Sequence, residues 1–450
     1  MQWDGYETDA LTALTFEFLD SGRDPDKPFR LVEGIDLSRA WLGEDCSADQ
    51  EAVYMMNFTW RQTMGAVTEA IHQDLDELTT RVIASLNRAS EDLVRWVDLV
   101  RDPEKPWALG WSKASVRGAN VGATNYILQA AAFCGVLDRV LSPEMKRQGA
   151  DWIRSLEVEE NVFADPALLD RKPPAWDDSQ ENWPPDGAHK EAINQYARGC
   201  LRFYEDAPLD QLSGPTPPSW PQKGDTDVLD WIKQVEPNWS WIGRIIHRLI
   251  PCYHEGAISK EALQQCMDYA HSRQDPETGF WGGGIQPTFK LLITVHDPAE
   301  LPVPRADKII DSVLRVMEKP TYDDDLFPCE EFDAFYDLAM AGTSAPGYRE
   351  EEIRKLAARR IHYILESHRQ ADGGLSSYLD RCIPTWLKWD MAPANLQGDA
   401  FGWGIYSYGI NICVDILGIA DRAPWTGKWR QRDEYDTRAF VEVGKEIQQS

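Results

Sequence analysis

From about residue 51 the chain alternates stretches in which apolar side chains recur every three or four positions with short connections rich in Gly, Pro and Asp. Leu75, Leu78, Val82, Ile83 and Leu86 show the spacing that puts side chains on one buried helix face, and they predict helix within 51–102. The same pattern predicts helices over about 117–139, 143–157, 187–205, 238–253, 258–273, 286–296, 304–318, 329–341, 348–369 and 398–418. Strand-like alternation is nearly absent, so the fold class reads as all-α. The Pro-rich connections Lys172–Pro185 and Ser213–Lys223 interrupt helices but are too short to link domains. Residues 1–50 mix Gly, Pro and Asp with short apolar runs and read as an N-terminal arm packed on the outside of one all-helical catalytic domain, 51–450.

One repeat gives the helices an arrangement. Arg273-Gln274 leads into Asp275-Pro276-Glu277-Thr278-Gly279-Phe280-Trp281, and Arg369-Gln370 leads into Ala371-Asp372-Gly373-Gly374-Leu375, about 96 residues later. Each segment closes a helix on Gln, turns on Gly and presents an apolar residue before the next helix. Two hairpins of about 48 residues fit between them, a period expected of an (α/α) helical-hairpin toroid or barrel. Coincidental helix C-caps would also place Gly at these points.

Composition narrows the partners. A net charge of −28 argues against nucleic acid and anionic membranes, which are recognised through basic patches. An anionic small molecule would need a local cation or bound metal to overcome that field. No apolar run reaches the roughly 18 residues of a membrane span, and Met1-Gln2-Trp3-Asp4-Gly5 does not open a signal peptide. The eight cysteines lack paired or zinc-like spacing and read as reduced thiols, which points to a cytoplasmic protein, monomeric or homodimeric. The 19 Trp, 15 Tyr and 14 Phe exceed ordinary packing needs and point to an aromatic-lined cavity.

Chemistry concentrates in Cys329-Glu330-Glu331-Phe332-Asp333-Ala334-Phe335-Tyr336-Asp337, just after Pro328. Glu330, Asp333 and Asp337 lie along one helix face at i, i+3 and i+7. Such stacked carboxylates persist if solvated, if favoured by the helix N-terminus, or if bridged by hard cations. Asp399 opens the aromatic stretch Phe401-Gly402-Trp403-Gly404, where a lone carboxylate is either an N-cap or a ligand. Lys290 lies in the apolar run Pro287-Thr288-Phe289-Lys290-Leu291-Leu292, so its ammonium either snorkels outward or meets an anion. Carboxylates suited to Mg²⁺, a lysine and aromatic walls together suit an anionic diphosphate head on an apolar polyene. The cations would stabilise departing diphosphate and the aromatic faces the remaining carbocation.

The usual cyclase signatures are weak. A DDxxE string, Asp177-Asp178-Ser179-Gln180-Glu181, falls in the Pro- and Trp-rich connection rather than on a helix. Asp323-Asp324-Asp325 lacks the DxDD register, and His189, His247 and His254 offer no paired zinc spacing.

Gly279-Phe280-Trp281-Gly282-Gly283-Gly284 through Thr288-Phe289-Lys290, with the acidic helix Glu330–Asp337, resembles the unorthodox fungal sesquiterpene cyclases that make humulene for tropolone sesquiterpenoids, over roughly residues 238–418. The resemblance implies an all-helical enzyme that binds farnesyl diphosphate through two Mg²⁺ ions and a lysine in place of an aspartate-rich motif. Carried over, Lys290 is that lysine, and Glu330, Asp333, Asp337 and Asp399 are the metal ligands. Gln286, one turn before Lys290, would face the prenyl chain or diphosphate and influence product geometry. Phe289, Trp281, Trp403, Tyr336 and Asn238 are the substrate-contacting candidates.

Two other readings stand beside this one. Helical toroids also host glycosidases and lyases that use paired carboxylates across a Trp-lined cleft, for which Asp333 and Asp399 are candidates. A non-catalytic helical scaffold binding a peptide or prenyl group is the third.

Overall fold

The structure, a computed structural model, describes residues 74–159, 162–169, 188–205, 256–319, 327–387, 389–430 and 438–449, with isolated positions between 228 and 253. All of them belong to the unit Thr63–Ser450. The expected arm over 1–50, the connections Lys172–Pro185 and Ser213–Lys223, the DDxxE string, Asp323–Asp325 and Asn238 lie outside the described residues.

The described residues are predominantly helical. The helices of seven residues or more are α1 (Leu75–Val100), α2 (Val121–Phe133), α3 (Pro143–Ser155), α4 (Ala188–Glu205), α5 (Lys260–Ser272), α6 (Ile285–Leu291), α7 (Ala306–Met317), α8 (Pro328–Ser344), α9 (Glu350–Ser367), α10 (Ala400–Leu417) and α11 (Arg438–Gln448). α6 runs directly into a π-helical turn, Leu292–His296. Local chemistry sets the starts: Asp74, Asn120, Ser142, Ser259 and Asp399 each accept a backbone N–H of the first turn, leaving fewer orphan donors. Gly418, in the left-handed conformation at φ 66°, closes α10. Helix α11 was not among the expected helices, although Phe440, Val443 and Ile447 recur at helical spacing along it. Two small antiparallel ribbons also escape the helical pattern: β1 (Glu157–Glu159) with β2 (Val162–Phe163), and β3 (Thr385–Trp386) with β4 (Trp389–Asp390).

Burial separates two kinds of helix. α1 buries a stripe of Leu78, Val82, Leu86, Leu93, Trp96 and Val97 and leaves its opposite face polar. α10 is buried nearly all round, from Ala400 and Phe401 to Val414 and Leu417, as a helix enclosed by others must be. α10 packs against α2, α8 and α9; α1 packs on α9, α4 on α2 and α3, and α8 on α6 and α7. None of the described helices is long and apolar enough to cross a membrane.

The repeated turns share a structural cause. Asp275 Oδ1 accepts the N–H groups of Glu277 and Thr278, and Asp372 Oδ1 accepts that of Gly374. Gln274 and Gln370 fold back into their own turns, donating to Gly279 O and Pro304 O and to Ser376 Oγ respectively. A third copy follows α1, where Asp102 Oδ1 accepts from Glu104 and Lys105. These turns lead into α2, α6 and α10. At Gly279 (φ 73°) the chain passes so close to α7 that a Cβ would lie 2.8 Å from Ile309 N, which fixes glycine there.

Candidate active site on helices α6 and α8

Helices α6 and α8 pack together and bring Lys290 to the acidic face of α8. Phe289 is the hinge pin of that packing. Its buried ring meets Phe332 edge-on at 4.8 Å and Tyr336 at 5.1 Å. From the other side, Gly243 approaches the α6 backbone closely enough that a Cβ would sit 2.6 Å from Lys290 O. The Lys290 carbonyl also accepts the Thr294 hydroxyl at the start of the π-helical turn, an irregularity that recurs at functional sites. Lys290 is half-buried, with Nζ 4.4 Å from the Phe289 ring centroid, and forms no ion pair with the described residues.

Along α8 the three carboxyls descend from solvent to core. Glu330 is exposed, Asp333 is 3% exposed and Asp337 is fully buried. Burial pushes the Asp333 carboxyl up to about 8; the Lys290 charge opposes that rise and Glu330 adds to it. Asp337 is raised well above the carboxylate range by burial first and by Asp333 second. Neither oxygen of Asp337 has a hydrogen-bond partner among the described residues. Cys329, one turn before Asp333, has its thiol pushed up to about 12 by burial, with Asp333 and Lys290 both close enough to act on it. A half-buried cation therefore acts on the buried Asp333 carboxyl, which burial biases toward its neutral form, as it does Asp337 beyond it.

Hard oxygen donors of this kind fit Mg²⁺, and the oxygens of Asp337 lack a counterpart among the described residues. No three His, Cys, Asp or Glu side chains among the described residues converge into a ready-made cage. Mg²⁺ ordinarily relies on one or two carboxylates completed by water and substrate phosphate, so a full protein cage is not required.

The other candidates are placed differently. Asp399, expected as a metal ligand, has both oxygens engaged: Oδ1 accepts from Gly402 N and Ser377 Oγ, and Oδ2 from Ser377 N and Ile383 N. Burial raises its carboxyl to about 6 against the opposing pull of these donors. It caps α10 and pins the loop before it, and it does not join the α6–α8 group. Gln286 is exposed on α6. Trp281 donates Nε1 to Ala270 O of α5 and leans on His296, so it ties α6 to α5. Trp403 packs 6.4 Å from Trp96 of α1, with its buried Nε1 unpartnered among the described residues. Both tryptophans thus serve packing between elements. Tyr336 does border the group, donating its hydroxyl to Asp297 Oδ2 and meeting Trp429 edge-on at 5.0 Å.

An aromatic cluster that the sequence did not single out adjoins these residues. Tyr126 of α2, Tyr196 of α4, Phe401 of α10 and Trp386 of the β3–β4 ribbon meet at ring distances of 4.1 to 6.1 Å. Cys329 acts electrostatically on both phenols, raising them slightly further. The residues come from four distant segments, so no local spacing marks them. Phe327, stacked on Phe401 at 5.3 Å, and Phe332, stacked on Tyr408 at 4.4 Å, extend the apolar wall. Glu331, adjacent to the acidic face, points elsewhere into a buried two-bond pair with Arg360. A surface crevice of about 590 Å³ bounded by Asp311, Arg315, Glu318, Lys319 and Arg349 is separate from this group and lacks aromatic walls.

The seven described cysteines are free thiols. Comparison with protein-family models, curated proteins and solved structures returned no match.

Proposed function

We propose that the chain is a Mg²⁺-dependent class I sesquiterpene synthase that ionises farnesyl diphosphate and cyclises it to a humulene-type hydrocarbon. The observation that carries this reading is the half-buried Lys290, without an ion pair among the described residues, beside Asp333, with the fully buried Asp337 one turn further along α8 and without a hydrogen-bond partner among the described residues. An ammonium held at an apolar wall is suited to an anion arriving from solvent, and diphosphate supplies one. The proposed fold is an (α/α) toroid. Its support is the succession of pairings α4–α2–α10–α8–α6, with α1 on α9 and α7 on α8 outside them.

In this reading Lys290 binds the diphosphate and orients its scissile C–O bond over the aromatic wall. Asp333 and Asp337, with Glu330 at the exposed end, would hold Mg²⁺, which as a Lewis acid adds positive charge where the leaving group develops its negative charge. Phe289, Phe332, Tyr336 and Tyr408 present ring faces and edges that exclude water and stabilise an allylic cation. The carbohydrate-enzyme alternative needs Asp333 and Asp399 as a working pair, and the four donors on Asp399 weigh against it.

The test is incubation of purified full-length protein with farnesyl diphosphate and Mg²⁺, followed by gas chromatography and mass spectrometry. Release of a cyclic fifteen-carbon hydrocarbon, lost with EDTA and restored by Mg²⁺, is expected. Absence of any hydrocarbon from folded protein would overturn the reading.

A further inference from the structure

Two histidines meet where α5 and the π-helical turn both end. His271 lies in the last turn of α5, and His296 is the last residue of the turn that continues α6. Their Nε2 atoms are 3.4 Å apart, and the rings, 5.3 Å between centroids, are inclined at 44°. His296 is fully buried, with Nδ1 3.1 Å from Pro302 O. A carbonyl oxygen only accepts, so Nδ1 carries the proton and Nε2 presents its lone pair towards His271. Burial first and His271 second lower His296 to about 3, which keeps this ring neutral.

The surroundings hold both rings in place. Trp281 leans on the His296 ring at 5.8 Å and donates Nε1 to the carbonyl of Ala270, the residue before His271. The loop after His296 folds back on it, with Leu301 N donating to His296 O. Glu300 and Arg305, at φ 52° and 49°, carry that loop through the left-handed region at a cost in strain. His271 is half-buried, so solvent reaches the pair from its side. The exposed Asp268, three residues earlier on α5, favours positive charge at His271. Arg305 acts in the opposite sense, with its guanidinium engaged by Gln274 Oε1.

We infer that His271 and His296 bind one divalent ion of the zinc type through their Nε2 atoms, clamping the end of α5 to the π-helical turn. Two nitrogens held about 2.0–2.1 Å from one zinc at the tetrahedral angle lie about 3.3–3.4 Å from each other, which is the separation of this pair. A hydrogen bond between the rings would ordinarily draw them to about 3 Å. Imidazole nitrogen selects zinc and its transition-metal neighbours over Mg²⁺, which prefers oxygen. Pro302 O supplies the outer contact that fixes ring orientation and tautomer in histidine ligands. Binding needs His271 with its proton on Nδ1, a tautomer change that releases no proton. No third His, Cys, Asp or Glu among the described residues joins the pair, so the remaining positions are open to water from the half-buried side.

The experiment titrates the full chain with Zn²⁺ in excess Mg²⁺, by calorimetry and thermal melts, for wild type, His271→Ala and Asp333→Asn. Wild type and Asp333→Asn should bind one equivalent, and His271→Ala should bind it roughly tenfold more weakly or worse. Zn²⁺ should raise the melting temperature of wild type and leave that of His271→Ala unchanged. Co²⁺ in place of Zn²⁺ should give wild type the intense visible absorption of a four-coordinate ion. His271→Gln serves if His271→Ala fails to fold. Absence of Zn²⁺ binding by wild type overturns the inference, as does equal affinity in the folded His271 variant, which would leave the two rings as a hydrogen-bonded pair. Loss of the equivalent in Asp333→Asn instead would place the ion on α8 and overturn it too. Binding and melting are read without substrate, so the result stands whether or not prenyl diphosphate is turned over.

Discussion

Lys290 on α6 acts on Asp333 on α8 through space without forming an ion pair, so its charge offsets only part of the effect of burying that carboxyl. A salt bridge would have closed the site on itself; a separated pair leaves the ammonium available to an incoming anion. Lys290→Met keeps the apolar stem and removes the charge. It should lower kcat for prenyl diphosphate ionisation by about a hundredfold or more, the scale of losing one electrostatic contact to a leaving group. The melting temperature should stay near that of wild type, because none of the described residues loses an ion-pair partner. Steady-state kinetics with thermal melts check both halves, and a large loss of stability with unchanged kcat would refute the assignment.

The same burial gives a pH dependence to the metal-free protein. Asp333 has a folded pKa of about 8, above that of an unfolded aspartate near ~4, so the folded state holds a proton through that interval while the unfolded state has lost it. Stability from this group is complete below about pH 4 and is lost as pH rises through about 8, by at most on the order of 1 kcal/mol per pH unit. His296 and His368, both lowered to about 3 by burial, act in the opposite sense, losing stability as pH falls from about 6.5 towards 3. Denaturant melts without Mg²⁺ should therefore show stability falling from pH 6.5 to 8, with a shallower fall in Asp333→Asn. Equal slopes would show that Asp333 is ionised in the folded protein.

Much of the fold was legible because amphipathic spacing and caps act locally. The expected helices at 143–157, 258–273 and 304–318 correspond closely to α3, α5 and α7, where buried apolar residues recur at helical period. The acidic face Glu330, Asp333, Asp337 was legible for the same reason. The aromatic candidates were harder. α10 is apolar on every side, so periodicity could not tell that Trp403 faces α1 whereas Phe401 faces Tyr126 and Trp386. Asp399 was misplaced among the ligands because the donors that satisfy it, Ser377 and Ile383, lie in the preceding loop and follow no helical pattern.

Glu331 and Arg360 supply a test of the packing that supports the site. Their two hydrogen bonds, 2.8 and 3.0 Å, join α8 to α9 in the interior, with Glu331 1% and Arg360 6% exposed. Arg360→Leu would strand a buried carboxylate and should destabilise the fold by about 3–5 kcal/mol. Glu331→Gln in the Arg360→Leu background removes that stranded charge and should recover part of the loss. Urea denaturation of the single and double variants measures the coupling. Additive losses would mean that the pair contributes nothing beyond its separate side chains.

Gly243 offers a way to move Lys290 without altering it. A Cβ at Gly243 would lie 2.6 Å from both Lys290 O and Thr294 Oγ1, and the backbone carbonyl has no room to rotate away as a flexible side chain could. Gly243→Ala must therefore push α6 at its junction with the π-helical turn, carrying Lys290 and Phe289 with it. A displacement on the order of 1 Å at a positioned group is enough to cost about a hundredfold in rate. The expected outcome is a fall in kcat for farnesyl diphosphate with a smaller change in KM, and a shift in product distribution as Phe289 moves against Phe332 and Tyr336. Thr294→Ala in the same chain removes one of the two contacts and should restore part of the activity. Wild-type kinetics in Gly243→Ala would show that the position of α6 does not govern the reaction, and would leave Lys290 without a mechanical link to it.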